Sequence, residues 1–165
     1  MQIRQERPQD AAPIHAITEA AFKGMPHSHQ TEARIVEALR TAGALTLSLV
    51  AVQDGEIVGH AAFSPVRIDG VDGGWLGLGP VSVRPDQQRK GVGQALIREG
   101  LSQLGSLRAT GCVVLGDPAY YGRFGFESDP RLVYADVPPA YFQRLVLTGA
   151  APTGEVTFHP GFDVA

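Results

Sequence analysis

Two apolar runs joined by the pair Asp54-Gly55 constrain the fold of this chain more than any other feature. Every second residue from Leu45 to Ala51 is apolar, and residues 57–66 form the second run. Alternation of this kind is typical of strands, and an Asp-Gly pair readily adopts the two positive φ angles of a type I′ turn. The sequence therefore predicts an antiparallel β-hairpin near the middle of the chain.

The segment before this hairpin has the spacing of one edge strand and two helices. Residues 2–6 alternate weakly and stop before Pro8, which lacks a backbone N–H. Apolar residues then recur at helical spacing after Asp10 and again after Thr31, and both residue types are favoured N-caps. Gly43 is placed to end the second helix. We therefore expect the order strand, helix, helix.

Beyond the hairpin, a turn at residues 69–74 leads to a fourth predicted strand over residues 75–83. Gly79-Pro80 interrupts this strand, and because proline cannot donate to a sheet ladder we expect a bulge there. The remaining segments predict, in order, a helix from residue 92 to Gly105, a buried strand over 112–115, helical turns ending at Gly125, and strands with a short helix near 132–134, 141–147 and 155–158. This order predicts a mixed α/β sheet with helices on its faces.

Composition limits the class of protein. With 165 residues, 44% hydrophobic and 19% charged, the chain predicts one globular domain over residues 1–165. A net charge of −3 does not favour nucleic acid or an anionic membrane as a partner. The sequence has one cysteine, no apolar leader and no apolar run of the roughly 18 residues that a membrane helix needs. We therefore expect a cytoplasmic protein.

Neither metal nor thiol chemistry is favoured. His27 and His29 offer two metal ligands without a third nearby, so we expect a solvated loop and no metal site. Cys112 lies in an apolar run without an adjacent basic group, and we expect a buried, unreactive thiol. This argues against a mechanism that passes through an acyl-cysteine.

The segment from Gln88 to Gly93, QRKGVG, carries the strongest functional signal. Two glycines and two cations lie where a strand is followed by a helix, whose first N–H groups are free donors at the positive end of the dipole. The segment lacks the Gly-Lys-Ser/Thr of a P-loop, and Leu96 stands where a dinucleotide fingerprint has its third glycine. It therefore indicates an anion site, with a solvated surface turn as the simpler alternative.

This segment matches Gln/Arg-x-x-Gly-x-Gly/Ala, the pyrophosphate motif of the GNAT superfamily of acyl-CoA-dependent N-acetyltransferases, which the chain resembles. Residues 121–126, YGRFGF, are similar to the family's Tyr-x-x-x-Gly-Phe, and residues 81–85 resemble its lead-in to the pyrophosphate loop. The resemblance covers residues 2–126, and residues 127–165 are similar to a C-terminal extension of the same domain. It implies a GNAT-like fold, with a central, mostly antiparallel mixed sheet and helices on both faces.

The resemblance also implies a site for acetyl-CoA, with the pyrophosphate at the glycine loop and the pantetheine along the fourth predicted strand. Tyr121 is implied as the acid that protonates the thiolate, with Tyr120 as the alternative, and the backbone N–H of Val81 or Ser82 as the oxyanion donor. The implied cofactor contacts are Val81, Ser82, Val83, Gln88, Arg89, Lys90, Gly91, Val92, Gly93, Pro118, Tyr121 and Phe124.

The general base is not assigned by the sequence. Residues 75–83 contain no acidic residue, where many family members have a glutamate. Glu32 is the candidate, and Glu19, His27, His29 or a chain of waters are the alternatives. A second departure is that Asp117-Pro118 stands where the family often has an asparagine upstream of its tyrosine.

The predicted function is transfer of an acetyl group from acetyl-CoA to an amine, on a small molecule or a peptide N-terminus, by direct attack in a ternary complex. One alternative is a noncatalytic acyl-CoA sensor or interaction module, and another is a protein that binds a different phosphate compound. The strand near residues 155–158 is free, on sequence grounds, to pair within the chain or across a homodimer.

Overall fold

A computed structural model describes residues 1–164, and within them the chain forms eight strands and four helices joined by 3₁₀ turns. The strands are β1 (Gln2–Gln5), β2 (Leu47–Gln53), β3 (Glu56–Ile68), β4 (Trp75–Val83), β5 (Gly111–Leu115), β6 (Leu132–Val133), β7 (Phe142–Val146) and β8 (Gly154–Phe158). The helices are α1 (Ala11–Phe22), α2 (Glu32–Thr41), α3 (Val92–Ser106) and α4 (Pro118–Tyr121). Across residues 1–164, no helix combines the length and apolar character needed to span a membrane.

Six strands follow one another across the sheet in the order β1-β2-β3-β4-β5-β7. Neighbours in this order are antiparallel except β4 and β5, which are parallel. β8 joins the sheet along residues 66–68 of β3 and also pairs with β6. The prediction of a mixed, mostly antiparallel sheet is confirmed.

Helices cover both faces of the sheet, and this explains why most of β2 is buried. Leu49 and Val50 are neighbours that point to opposite faces, yet both are fully buried. On one face, α3 contributes Leu96 to the large core around Leu49. On the other, α1 and α2 contribute Ile14 and Val36, which pack with Val50. The prediction of helices on both faces is confirmed.

The predicted turns form where the sequence placed them. Asp54 and Gly55 have φ angles of 52° and 78°, the two positive angles of a type I′ turn. Gly43, at φ 68°, lies just past α2 and donates its N–H to the Arg40 carbonyl over 3.1 Å. Both turns depend on residues close in sequence, which is why the pattern is sufficient to predict them.

The two predicted N-caps differ from expectation in their side chains. Asp10 and Thr31 occupy the N-cap positions of α1 and α2, but neither side chain caps its helix. The Asp10 carboxylate instead accepts hydrogen bonds from the Arg4 guanidinium and from the Arg7 N–H, each over 2.7 Å. The hydrogen bond from Arg4 is the main reason that the pKa of Asp10 lies below its ordinary value.

The C-terminal segment is built into the same sheet. β7 pairs with β5, and β8 pairs with β3, so this strand finds its partner within the chain. A separate small core forms there, in which Trp75 of β4 and Val113 of β5 pack with Leu132, Phe142 and Val156. The extension therefore completes the part of the core that covers β4 and β5.

Candidate active site

β4 and β5 diverge, and the gap between them organises the site. The two strands pair in parallel up to Leu78 and Val114. β4 then bulges at Gly79-Pro80, where its register with β3 shifts by one residue, so the predicted bulge is confirmed. After the bulge, residues 81–83 pair with β3 alone among the described strands, which leaves their other edge open.

The direction of the backbone after the bulge decides which residues face this gap. Arg84 donates its N–H to the Val58 carbonyl of β3 over 2.8 Å, and backbone groups alternate sides along a strand. The N–H and carbonyl of Ser82 therefore face β3, whereas those of Val81 and Val83 face the gap. Of the two N–H groups considered for the oxyanion, that of Val81 fits this arrangement and that of Ser82 does not.

The Ser82 side chain connects β4 to α1. Its Oγ lies 3.0 Å from the Oγ of Thr18, and both residues are buried. Thr18 donates its own proton to the Ile14 carbonyl over 2.7 Å, so Ser82 is the donor to Thr18. Ser82 therefore has a structural contact on the face that α1 covers.

The predicted anion loop leads from β4 into α3. Arg89 and Gly91 have φ angles of 64° and 88°, which turn the chain sharply before the helix. The Ala95 N–H donates to the Gly91 carbonyl over 3.0 Å, so the N–H groups of residues 92–94 have no partner within the helix. The loop lines a cleft of about 200 Å³, together with Tyr120. These free donors at a helix start suit an anion.

Two contacts shape this cleft. Gln88 donates its side-chain N–H to the Val83 carbonyl over 3.1 Å, the carbonyl that faces the gap. A β-carbon on Gly93 would lie 3.3 Å from the Tyr120 hydroxyl, so glycine keeps the cleft open at this point. Tyr120 therefore belongs to the loop cleft, which its position beside Tyr121 in the sequence does not reveal.

Positive charge surrounds the loop. The two cations of the loop itself are exposed. Nearby, Arg98 lies 5.0 Å from the centre of the Phe124 ring, and Arg123 lies 4.7 Å from the centre of the Tyr120 ring. Arg89 lines the cleft, and the other three cations lie on segments next to it, so the region favours a ligand with several phosphate charges.

Tyr121 lies just past the end of β5, on the other side of the gap. Its ring packs edge-on against Phe126, with centroids 6.0 Å apart, and rests on Gly116. Burial raises the pKa of the Tyr121 hydroxyl to about 12. The phenol is therefore protonated at neutral pH, as the predicted general acid must be.

Two residues of the C-terminal segment hold Gly116 in place. Gly116 donates its N–H to the Tyr141 carbonyl over 2.9 Å, and its carbonyl accepts from the Gln143 side-chain N–H over 3.0 Å. Gln143 is buried and lies opposite Val114 in the pairing of β5 with β7. Sequence analysis missed these residues because their role depends on the pairing of strands that are far apart in the chain.

α4 is a short helix that carries both tyrosines. Asp117 caps it, since its Oδ1 accepts from the Ala119 N–H over 2.9 Å. Pro118 occupies the first helical position and is exposed. Phe124 is half-buried and its ring packs against the rings of both tyrosines. Phe124 therefore supports the two tyrosines from the turn that follows α4.

Two of the four candidates for the general base line one cavity, and the other two lie outside it. Glu19 and Glu32 line a cavity of about 550 Å³ formed by residues of α1 and α2. There the Glu32 carboxylate accepts a hydrogen bond from the Ser28 hydroxyl. His27 and His29 are exposed in the loop between these helices, and His27 lines a different cleft. The structure therefore does not gather these residues into one site.

That second cleft lies at the end of β5 and has a volume of about 660 Å³. Two of its large apolar residues, Leu115 and Tyr141, are 46% and 51% exposed. Its lining comes from three segments and comprises His27, Leu115, Gly116, Asp117, Val137, Pro138 and Tyr141. No single segment carries a signal for it in the sequence.

Cys112 lies outside these clefts. It is fully buried, and burial raises the pKa of its thiol far above the ordinary value. Among residues 1–164, no three His, Cys, Asp or Glu side chains are placed to hold a metal ion.

The site lies where two parallel strands, β4 and β5, separate beside a glycine loop. Comparison with known proteins identifies the family to which the chain belongs. The model of the acetyltransferase (GNAT) family matches residues 14–126. The chain belongs to the GNAT acetyltransferase family, and the resemblance of its motifs is confirmed.

Full-length relatives agree with this assignment. The uncharacterized N-acetyltransferase YhbS of Escherichia coli strain K12 is 42% identical over an alignment of 170 positions, which covers 99% of each chain. The crystal structure of a GNAT acetyltransferase from Brucella melitensis in complex with acetyl-CoA is 54% identical, with a TM-score of 0.89 over 98% of this chain and 97% of that one. The structure of Escherichia coli YhbS in complex with CoA has a TM-score of 0.91 over 99% of this chain and 92% of that one, at 36% structure-aligned identity.

Proposed function

We propose that this chain transfers the acetyl group of acetyl-CoA to an amine by direct attack in a ternary complex. The observation that carries the proposal is that the open edge at Val81 and Val83 leads into the loop whose N–H groups at residues 92–94 are free. Such a surface suits a ligand with a peptide-like arm followed by a pyrophosphate, which is the chemistry of CoA. The acetyl-CoA complex of the Brucella melitensis relative supports the same ligand.

Each part of the site has a chemical role in this proposal. Bound acetyl-CoA supplies a thioester whose acetyl group passes to the amine nitrogen as a thiolate leaves. The Val81 N–H, which faces the gap, donates to the thioester oxygen as that oxygen gains negative charge. The Tyr121 hydroxyl, protonated at neutral pH, gives its proton to the leaving sulfur. Arg89 and Lys90 add positive charge at the pyrophosphate.

Glu32, which lines the cavity between α1 and α2, is our candidate for taking the proton that the amine loses, through a chain of waters where the amine itself lies outside that cavity. Replacement by Gln keeps an acceptor for the Ser28 hydroxyl and removes the base. If Glu32 is the base, Glu32→Gln lowers turnover while the affinity for acetyl-CoA stays unchanged. Unchanged turnover in Glu32→Gln would exclude Glu32 and leave Glu19, His27, His29 or a chain of waters to take the proton.

Calorimetric titration with acetyl-CoA tests the cofactor half of the proposal. Gly93→Asp places a carboxylate beside the loop N–H groups, and we expect it to weaken binding by at least about tenfold. Gly105→Asp is the matched control, because it adds the same charge to α3 at a position with no atom within 4 Å of a β-carbon. Absence of binding by folded wild-type protein would refute the proposal.

Tyr121→Phe separates an enzyme from a noncatalytic acyl-CoA sensor. The substitution keeps the ring that packs on Gly116 and removes only the hydroxyl. We expect turnover with a panel of primary amines to fall by about 100-fold, while acetyl-CoA affinity stays unchanged. A sensor would bind acetyl-CoA without any turnover in the wild type.

Cytoplasmic localisation and a homodimer stay predictions from the sequence.

A further inference from the structure

We propose that the acceptor is a monoamine carried on an apolar body, an arylalkyl or branched alkyl amine, and that it binds in the cleft at the end of β5. This inference rests on the proposed function and adds the chemical class of the second substrate.

The position of the cleft relates it to Tyr121. Gly116 forms part of the cleft wall, and the Tyr121 ring rests on the same glycine. Leu115, also in the wall, comes from the end of β5, the strand that borders the gap. A ligand in this cleft therefore contacts Gly116, the glycine against which the ring of the proposed acid packs, and attack on a thioester requires proximity of this kind.

The walls of the cleft favour an apolar ligand. Leu115 and Tyr141 keep about half of their surface exposed, at 46% and 51%, and Val137 and Pro138 lie beside them. Large apolar side chains exposed together around a concave surface are typical of sites for apolar ligands, because binding removes their surface from water. The body of the acceptor, rather than its amine, then supplies most of the binding energy.

The charges of the cleft favour a single amine. Among residues 1–164, Asp117 is the only carboxylate in its lining, and it uses Oδ1 to cap α4, which leaves Oδ2 for a ligand. One carboxylate matches one ammonium group, whereas a polyamine or an aminoglycoside carries several. The α1–α2 cavity differs in its charges, because Glu19 and Glu32 line it together with Lys23.

Release of CoA thiol in the presence of acetyl-CoA tests the inference with four defined acceptors. These are 2-phenylethylamine, a tetrapeptide with N-terminal Phe, spermidine and kanamycin. We expect kcat/KM to be highest for one of the two apolar amines, and the comparison of the free amine with the peptide identifies the source of the apolar group. Preference for spermidine or kanamycin would overturn the inference, as would acetyl-CoA binding without turnover of either apolar amine.

Variants of the cleft give a second readout. Leu115→Ser and Tyr141→Ser replace exposed side chains and should raise the KM of the preferred apolar amine by about tenfold, without a change in acetyl-CoA affinity. Val71→Ser is the matched control, because Val71 is 63% exposed in the turn between β3 and β4 and should leave KM unchanged. Equal KM values in all three variants would overturn the assignment of the cleft. Absence of acetyl-CoA binding by the folded wild-type protein would instead refute the proposed function itself.

Discussion

Gly116 lies so close beneath the ring of Tyr121 that a β-carbon on this glycine would be 2.4 Å from the ring Cε2. Gly116 is itself fixed by hydrogen bonds to Tyr141 and Gln143, which follow the region matched by the family model. The C-terminal segment therefore determines where the proposed acid sits.

Gly116→Ala is predicted to destabilise the fold through this contact. The added methyl group must displace the Tyr121 ring, and overpacking of this kind costs about 1–3 kcal/mol. Urea unfolding measures the cost in the wild type and in a Tyr121→Ala background, where the ring is absent and the cost should largely disappear. Gly122→Ala, with no atom within 4 Å of its β-carbon, is the control. An equal cost of Gly116→Ala in both backgrounds would contradict the contact.

The proposal that residues 1–165 form a single domain predicts that residues 1–126 do not fold alone. Truncation after Phe126 removes β7 from β5 and β8 from β3, and exposes the small core around Trp75. Trp75 is 4% exposed, so its fluorescence should shift to the red, and the truncated chain should lack a cooperative urea transition. The full chain should show one transition by both fluorescence and circular dichroism. A truncated chain with native-like Trp75 emission would argue for two units.

The Cys112 thiol should not react with thiol reagents in the native protein. It is fully buried with a raised pKa, and reaction with a thiol reagent requires both exposure and ionisation. We expect labelling at least about 100-fold slower in the native state than in denaturant. Because the chain has no other cysteine, Cys112→Ser should abolish labelling, and CoA release can be followed with the same reagent. Fast labelling of native protein would place Cys112 at an accessible site and reopen thiol chemistry.

Features that depend on neighbouring residues could be predicted from the sequence. The Asp54-Gly55 turn, the Gly79-Pro80 bulge and the loop from Gln88 to Gly93 each form from a short segment whose backbone requirements are visible in its residue types. The fold class follows from their order.

Features that depend on strand register or on pairing between distant segments could not be predicted from the sequence. Whether Ser82 or Val81 faces the gap is decided by the hydrogen bond of Arg84 to Val58, which no local pattern reveals. The role of Gln143 depends on the pairing of β5 with β7. Likewise Asp10 has the residue type of an N-cap, but its carboxylate binds Arg4 and Arg7 instead. Competition between partners is a property of the folded chain.

His60 provides a prediction with a defined pH window. It is fully buried on β3, and its Nε2 lies 2.7 Å from the Ser48 Oγ. Ser48 donates its proton to the Glu6 carboxylate, which also accepts from Arg40 over 2.8 Å, so Nε2–H of His60 donates to Ser48. Burial lowers the pKa of His60 to about 4, although Glu6 partly opposes the shift. His60 is therefore neutral in the folded protein.

The sign of the effect follows from the lowered pKa. An unfolded histidine gains a proton as pH falls through about 6.5, whereas folded His60 does so only near pH 4, so the unfolded state binds more protons between these values. The contribution of neutral His60 to the free energy of unfolding is fully present above pH 6.5. It falls as pH falls toward 4, by on the order of 3 kcal/mol. Urea unfolding at pH 4.5 to 7 measures it.

His60→Gln should remove this part of the pH dependence, because glutamine can donate to Ser48 and does not titrate. His29→Gln, at an exposed loop position, should leave the pH dependence as in the wild type. Carboxylates such as Glu6, whose pKa lies below its ordinary value, also make the protein less stable at low pH. The relevant quantity is therefore the difference in free energy of unfolding between the wild type and His60→Gln. If both variants follow the wild-type slope between pH 4.5 and 6.5, His60 is not held neutral by burial.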